Sequence, residues 1–165
     1  MDYRIEMMQP EDWSRVAAIY QEGIETGLAT FQGQVPSWED WDRAHISSCR
    51  LVARKNDEVL GWAALSAVSS RSVYAGIGEV SVYVGAAYQK MGVGTALLNE
   101  LIRQSENNGF WMLQGVITKE NIASIELHKK CGFRLVGIRE RIGRMPGGVW
   151  HDTALMERRS RTVGM

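Results

Sequence analysis

The sequence predicts one mixed α/β domain, and three observations carry that expectation. Stretches in which apolar residues alternate with period two take turns along the chain with stretches of helical period, the pattern of a sheet covered by helices. A length of 165 residues at 45% hydrophobic content is enough for one sizeable core. Only three prolines, Pro10, Pro36 and Pro146, punctuate the chain, with no Ser/Gly linker, repeat or low-complexity tract, so a single domain over residues 1–165 is expected.

The elements follow in order. "YRIEMM" alternates like a strand, and "QPEDWSRVAAIYQEGIET" then puts Trp13, Val16, Ala17 and Tyr20 on one helical face. Pro10 falls near the first turn of that helix, where a missing N–H does no harm. Ser37 followed by Asp40 in "PSWEDWDRAHIS" resembles a capping box with the shorter acid and opens a second helix carrying Trp38 and Trp41. "LVARK" and "VLGWAAL", joined across Asn56, Asp57 and Glu58, predict an antiparallel hairpin. "EVSVYV", Glu79 to Val84, is the next strand. Ala96, Leu97, Leu101, Ile102 and Ser105 keep helical spacing until Asn108 and Gly109 end the run. "WMLQGVI" is a strand, "NIASIELHKKCGF" a short helix stopped at Gly132, and "RLVGIRERIG" and "VWHDTALMER" close the chain as two strands.

Composition excludes several partners. The 19 basic and 19 acidic side chains cancel and are scattered, so no broad field draws the chain to nucleic acid or to a lipid surface. A small ligand is the expected partner. The N-terminus carries acids and lacks an apolar signal core, and no run approaches the roughly 20 apolar residues of a membrane span, which predicts a cytoplasmic protein. Cys49 and Cys131, the only two cysteines, have no metal-ligand spacing and are expected as small packing residues in a reducing interior. His45, His128 and His151 likewise have no common spacing, and no metal site is expected.

The stretch "VYVGAAYQKMGVGTALL" places Gly85, Gly92 and Gly94 between a strand and a helix. A phosphate-binding Walker loop would need Gly-Lys-Ser/Thr after its spacer, and no such string occurs. The dinucleotide fingerprint fails at its third glycine, where Leu97 stands. What remains is a glycine turn leading into a helix whose first amides lack partners, an arrangement that serves a tight turn or an anionic phosphate group.

"QKMGVG", Gln89 to Gly94, together with "NIASIELHKKCGF" further on, resembles the two signature motifs of the GNAT superfamily of acyl-CoA-dependent N-acetyltransferases. The resemblance covers nearly the whole chain and implies that family's fold: a mixed central sheet of about seven strands flanked by about four helices, with strands splayed at the cofactor site. It implies acetyl-CoA as cosubstrate and no metal. Gln89, Lys90, Met91, Gly92, Val93, Gly94 and Thr95 would hold the pyrophosphate, Val82, Tyr83 and Val84 the pantetheine arm and thioester, and Asn121 and Ser124 would contact the arm from the second motif. Lys90 and oriented amides would supply the local positive potential that a neutral protein otherwise lacks.

Acetyl transfer to an amine needs a base, an oxyanion partner and often a proton for the leaving thiolate. Glu79 opens the strand that meets the thioester and could take the ammonium proton directly or through water; a strand-end surface acid is the plainer alternative. His128 stands where many members of the superfamily have a Tyr that protonates the thiolate, and it could donate, accept or merely pack. His45 and His151 are weaker candidates, expected in structural roles. A backbone N–H of the Val82 to Val84 strand is the expected oxyanion partner.

Within the superfamily, "IYQEGIETGLATF", "SSRSVYAGIGEVSVYV", "NIASIELHKKCGF" and "GRMPGGVWHDTALMER" resemble the phosphinothricin and methionine sulfoximine N-acetyltransferase branch. This implies a small amino acid as acceptor, Glu79 as base and His128 at the branch's histidine position. Arg71 and Tyr74 are then the candidates for gripping acid groups and Phe31 for an apolar wall. The branch also implies a homodimer. The rivals are the same chemistry on another amine (a protein N-terminus, polyamine or aminoglycoside) and a non-catalytic acetyl-CoA sensor.

Overall fold

The computed structural model describes residues 2–165. Seven strands form one sheet: β1 (Arg4–Met7), β2 (Leu51–Lys55), β3 (Glu58–Ala67), β4 (Ile77–Val84), β5 (Met112–Thr118), β6 (Arg134–Arg144) and β7 (Trp150–Arg159). Four helices join them: α1 (Trp13–Glu25), α2 (Trp38–Ala44), α3 (Val93–Asn107) and α4 (Ile122–Lys130). Strand order is β1-β2-β3-β4-β5-β7-β6, antiparallel throughout except between β4 and β5. The expected mixed sheet of seven strands with four helices is what forms.

Helices cover both faces. Val16, Ile19 and Tyr20 of α1 and Trp41 of α2 pack with Val52, Val59 and Trp62 on one face. On the other, Leu97, Leu98 and Leu101 of α3 meet Leu60, Leu65, Leu113 and Met156. Each fully buried Leu or Ile of these clusters contributes roughly 1.5–3 kcal/mol of transfer free energy. Because β3 is covered on both sides, Val59 to Leu65 is buried without alternation, which is why its sequence is a continuous apolar run. At the other extreme β6, the edge strand, leaves Leu135, Val136, Ile138 and Ile142 exposed.

Local chemistry explains most element ends. Ser37 Oγ accepts from the Asp40 amide at 3.1 Å and starts α2, as the spacing predicts. The first helix begins later than its pattern suggests: Pro10–Asp12 forms a separate 3-10 turn, closed by the Gln9 amide donating to Asp12 Oδ2 at 2.9 Å, and α1 starts at Trp13. The second helix stops at Ala44, so His45 adopts an extended backbone instead of lying among helical residues. Its ring stacks on Trp41 at 4.1 Å, and the buried Arg50 guanidinium fixes the turn by donating to the carbonyls of Asp42 and His45. Among the described residues no helix is long and apolar enough to cross a membrane.

Candidate functional site

The parallel pair β4/β5 is joined only at Ile77–Met112, Gly78–Leu113 and Glu79–Gln114. Beyond that point β4 stays bonded to β3 as far as Val84, and β5 to β7 as far as Thr118, while the two diverge from each other. The facing edges therefore carry backbone groups without a strand partner, and such groups need one when buried. Two cavities meet at this wedge. A cleft of about 400 Å³ is lined by Glu22, Thr26, Val82 to Val84, Gln89, Asn121, Ser124 and Leu127. A cavity of about 530 Å³ shares Val82, Tyr83, Asn121 and Ser124 with it and adds Phe31, His45, Ser66, Glu79, Gly115, His128 and Thr153.

The glycine turn closes the cleft end of β4. The Gly85 amide donates to Leu60 O at 2.8 Å, and Gln89 Nε2 donates to Val84 O at 2.7 Å, so the signature glutamine holds the strand end. Lys90 (φ 61°) and Gly92 (φ 81°) turn the chain, and α3 begins at Val93. Nothing lies within 4 Å of where a Gly92 Cβ would be, so the left-handed backbone alone calls for glycine there. The first helix-closing bond is Ala96 N to Gly92 O, 3.0 Å. The amides of Val93, Gly94 and Thr95 precede it and remain free at the positive end of a 15-residue helix. Lys90 and Met91 are exposed beside them. Free amides, a neighbouring cation and an unpaired strand edge fit a diphosphate carrying an amide-bearing arm. Asn121 caps α4 by accepting from the Ser124 amide at 3.3 Å and lines both cavities.

In the larger cavity Glu79 is half-buried, its Oε1 accepting from Gln114 Nε2 at 2.8 Å. Tyr83 stacks between Trp62 at 4.8 Å and Tyr20 at 5.0 Å. Burial, helped by the neighbouring Tyr20, pushes the Tyr83 phenol far up, so it stays protonated and cannot serve as the base. Phe31 forms a wall of the cavity, as expected.

His128 lies on α4 but reaches the wedge because Gly115 of β5 has no side chain. A Cβ at Gly115 would stand 3.0 Å from His128 Cδ2 and 3.1 Å from Nε2. His128 Nδ1 is 2.7 Å from Ser124 O, and a carbonyl only accepts, so Nδ1 carries the proton and Nε2 the lone pair. The ring meets Phe133 edge-on at 5.1 Å. Burial lowers its pKa, against the opposing bond to Ser124, which keeps the imidazole neutral near pH 7. His45 repeats the arrangement, with Nδ1 2.7 Å from Trp41 O and its pKa lowered first by burial.

The wedge thus brings together Glu79, His128, Phe31, Val82 to Val84, Gln89, Asn121 and Ser124. Arg71 and Tyr74 stand apart: they are exposed at the 3-10 turn Ser72–Tyr74, stacked on each other at 5.3 Å, and line neither cavity. Ser66, Gln114 and Thr153 were not singled out for the site by sequence reasoning, and His45, expected in a structural role, lines the larger cavity. Cross-strand register with Glu79 would have found Ser66 and Gln114, had the pairing been known. Cys49 and Cys131 are buried free thiols whose pKa burial raises, and neither lines a cavity. Among the described residues no group of three or more His, Cys, Asp or Glu is placed to hold a metal.

Comparison with known proteins gives four results that bear on this site. Residues 13–133 match the model of the acetyltransferase (GNAT) family. A phosphinothricin N-acetyltransferase of Alcaligenes faecalis is 33% identical over 162 residues, 93% of this chain and 81% of that protein. An L-methionine sulfoximine/L-methionine sulfone acetyltransferase of Salmonella typhimurium is 33% identical over 107 residues, 65% of this chain and 62% of that protein. Among solved structures, a phosphinothricin acetyltransferase from Sinorhizobium meliloti in complex with acetyl-CoA superimposes with a TM-score of 0.88 at 28% identity, covering 99% of this chain and 91% of the other.

Proposed function

The chain belongs to the GNAT acetyltransferase family, and from that footing we propose that it transfers the acetyl group of acetyl-CoA to the α-amine of a small amino acid of the methionine sulfoximine, methionine sulfone or phosphinothricin type. The observation that carries this reading is the meeting of two cavities at the β4/β5 wedge, with Glu79 and His128 on the wall of the larger. Bound acetyl-CoA supplies an acyl thioester. Amides of Val93, Gly94 and Thr95 with Lys90 receive the diphosphate, and the open edge of β4 over Val82, Tyr83 and Val84 bonds the arm and offers N–H groups to a developing oxyanion.

Glu79 takes the ammonium proton, directly or through one water. His128 then acts through Nε2, which as a lone-pair acceptor receives the second amine proton when the C–N bond forms and returns it to the departing sulfur. Attack is direct, since both thiols lie away from the cavities with raised pKa values. Phe31 packs the acceptor side chain. Arg71 and Tyr74 remain proposed acid-group partners only if they act across a dimer boundary, because within one chain they line neither cavity. The exposed apolar edge of β6 supports such a homodimer, and the two buried free thiols support a reducing, cytoplasmic setting.

A thiol-release screen with acetyl-CoA against methionine sulfone, methionine sulfoximine, phosphinothricin, the common amino acids, spermidine and an aminoglycoside tests the reading. Turnover of the first three, lost by about 100-fold or more in kcat on Glu79→Gln with acetyl-CoA affinity kept, is expected. Turnover of polyamine or aminoglycoside alone would move the protein to another amine, and silence would favour a sensor.

A further inference from the structure

Register places one row of polar residues straight across the sheet. Ser66 pairs with Glu79, Glu79 with Gln114, Gln114 with Glu157 and Glu157 with Arg134, so five adjacent strands contribute one residue each to the same line on the same face. Gln114 sits between two carboxyl groups and could serve either. It serves Glu79: Nε2 donates to Oε1 at 2.8 Å, while Glu157 is engaged by Arg134 at 2.5 Å. A carboxylate oxygen only accepts, which fixes the amide's orientation without ambiguity.

The position of that bond matters as much as its existence. Glu79–Gln114 is the last pair joining β4 to β5 before the strands part. One side chain therefore marks the apex of the wedge and holds the proposed base at the cavity wall. A Glu side chain has three rotatable bonds, and a half-buried one with a single partner keeps its direction through that partner. No other side chain among the described residues bonds Glu79.

From this geometry we infer that Gln114 is a positioning residue for Glu79: its amide aims the carboxyl group so that the free oxygen, Oε2, faces the incoming amine. Gln114 itself lines neither cavity and touches no substrate. Arg134 supports the arrangement at one remove, by occupying the carboxylate that would otherwise compete for the same amide. The inference rests on the functional reading of Glu79 given above.

A double-mutant cycle separates positioning from mere packing. Gln114→Met keeps length and removes the donor. It is expected to lower kcat about tenfold in the wild-type background with KM for acetyl-CoA changed by less than twofold, and to lower it by less than twofold once Glu79 is already Gln. Melting of all variants is followed to confirm that they fold. Equal fold-losses in both Glu79 backgrounds, or no loss from Gln114→Met in an active protein, would overturn the inference alone. An unchanged kcat on Glu79→Gln by itself, or a wild-type protein silent toward every acceptor, would bring down the reading on which it depends as well.

Discussion

Replacing Gly115 by Ala puts a methyl group where the His128 imidazole now rests. The added carbon would lie 3.0 and 3.1 Å from Cδ2 and Nε2, some tenths of an ångström inside ordinary contact. The ring has little room to yield, because Ser124 O holds Nδ1 at 2.7 Å and Phe133 meets it edge-on at 5.1 Å. Overpacking of this kind costs about 1–3 kcal/mol. For a chain of this length that corresponds to a fall in Tm of roughly 2–4 °C per kcal/mol. Since a misplacement of about 1 Å in a catalytic group can cost 100-fold, a shift of a few tenths should lower kcat on the order of tenfold. Thermal melting and steady-state thiol release measure both effects. Gly78→Ala is the control, as the nearest atoms to its Cβ would be side-chain carbons of Leu113 and Leu65 at 3.4 Å, ordinary contact. If Gly115→Ala melts early but turns over normally, His128 packs and does not transfer protons. If neither changes, the close approach itself is wrong.

Other expectations follow from the same contacts. Gly92→Ala meets no atom but must hold φ near 81°, so it should cost about 1–2 kcal/mol and raise KM for acetyl-CoA more than that for the acceptor; an unchanged cofactor KM would separate the turn from the diphosphate. Burial lowers the pKa of both His45 and His128, so as pH falls through about 6.5 the unfolded chain takes up protons that the native state refuses, and stability should drop by up to ~1.4 kcal/mol per pH unit for each histidine; denaturant midpoints between pH 7.5 and 5 that stay flat would contradict this. Thr153 Oγ1 is buried without a hydrogen-bond partner among the described residues, and Thr153→Val should therefore leave stability equal or raise it by about 1 kcal/mol, whereas a clear loss would mean that the hydroxyl is satisfied in solution.

Sequence periodicity showed the order of strands and helices because each element buries one face, and it located a glycine turn because Gly92 and Gly94 sit between a strand and an apolar helix; only the resemblance of the two motifs attached a cofactor to that turn. The Ser37–Asp40 spacing also predicted a helix cap, and Ser37 does accept the amide three residues on, as Asn121 does at the start of α4. Other features depend on contacts between distant segments. His45 looks helical in sequence, yet Arg50 draws the carbonyls at the end of α2 together and turns the ring toward the cavity. Gln114 gained its meaning only from the parallel register of β4 and β5, which no local pattern encodes. Arg71 was attractive because of its place in the chain, but the 3-10 turn at Ser72–Tyr74 carries it to the surface. The wedge itself is a failure of pairing between two good strands, and propensity has no term for that.

A crystal structure of the protein with CoA and methionine sulfone bound tests the account most directly. The diphosphate is expected on the amides of Val93, Gly94 and Thr95, the arm along the open edge of β4 from Val82 to Val84, and the amino group in the larger cavity on the side of Glu79. A diphosphate seated away from the start of α3, or an acceptor bound outside the cavity shared by Glu79 and His128, would contradict it.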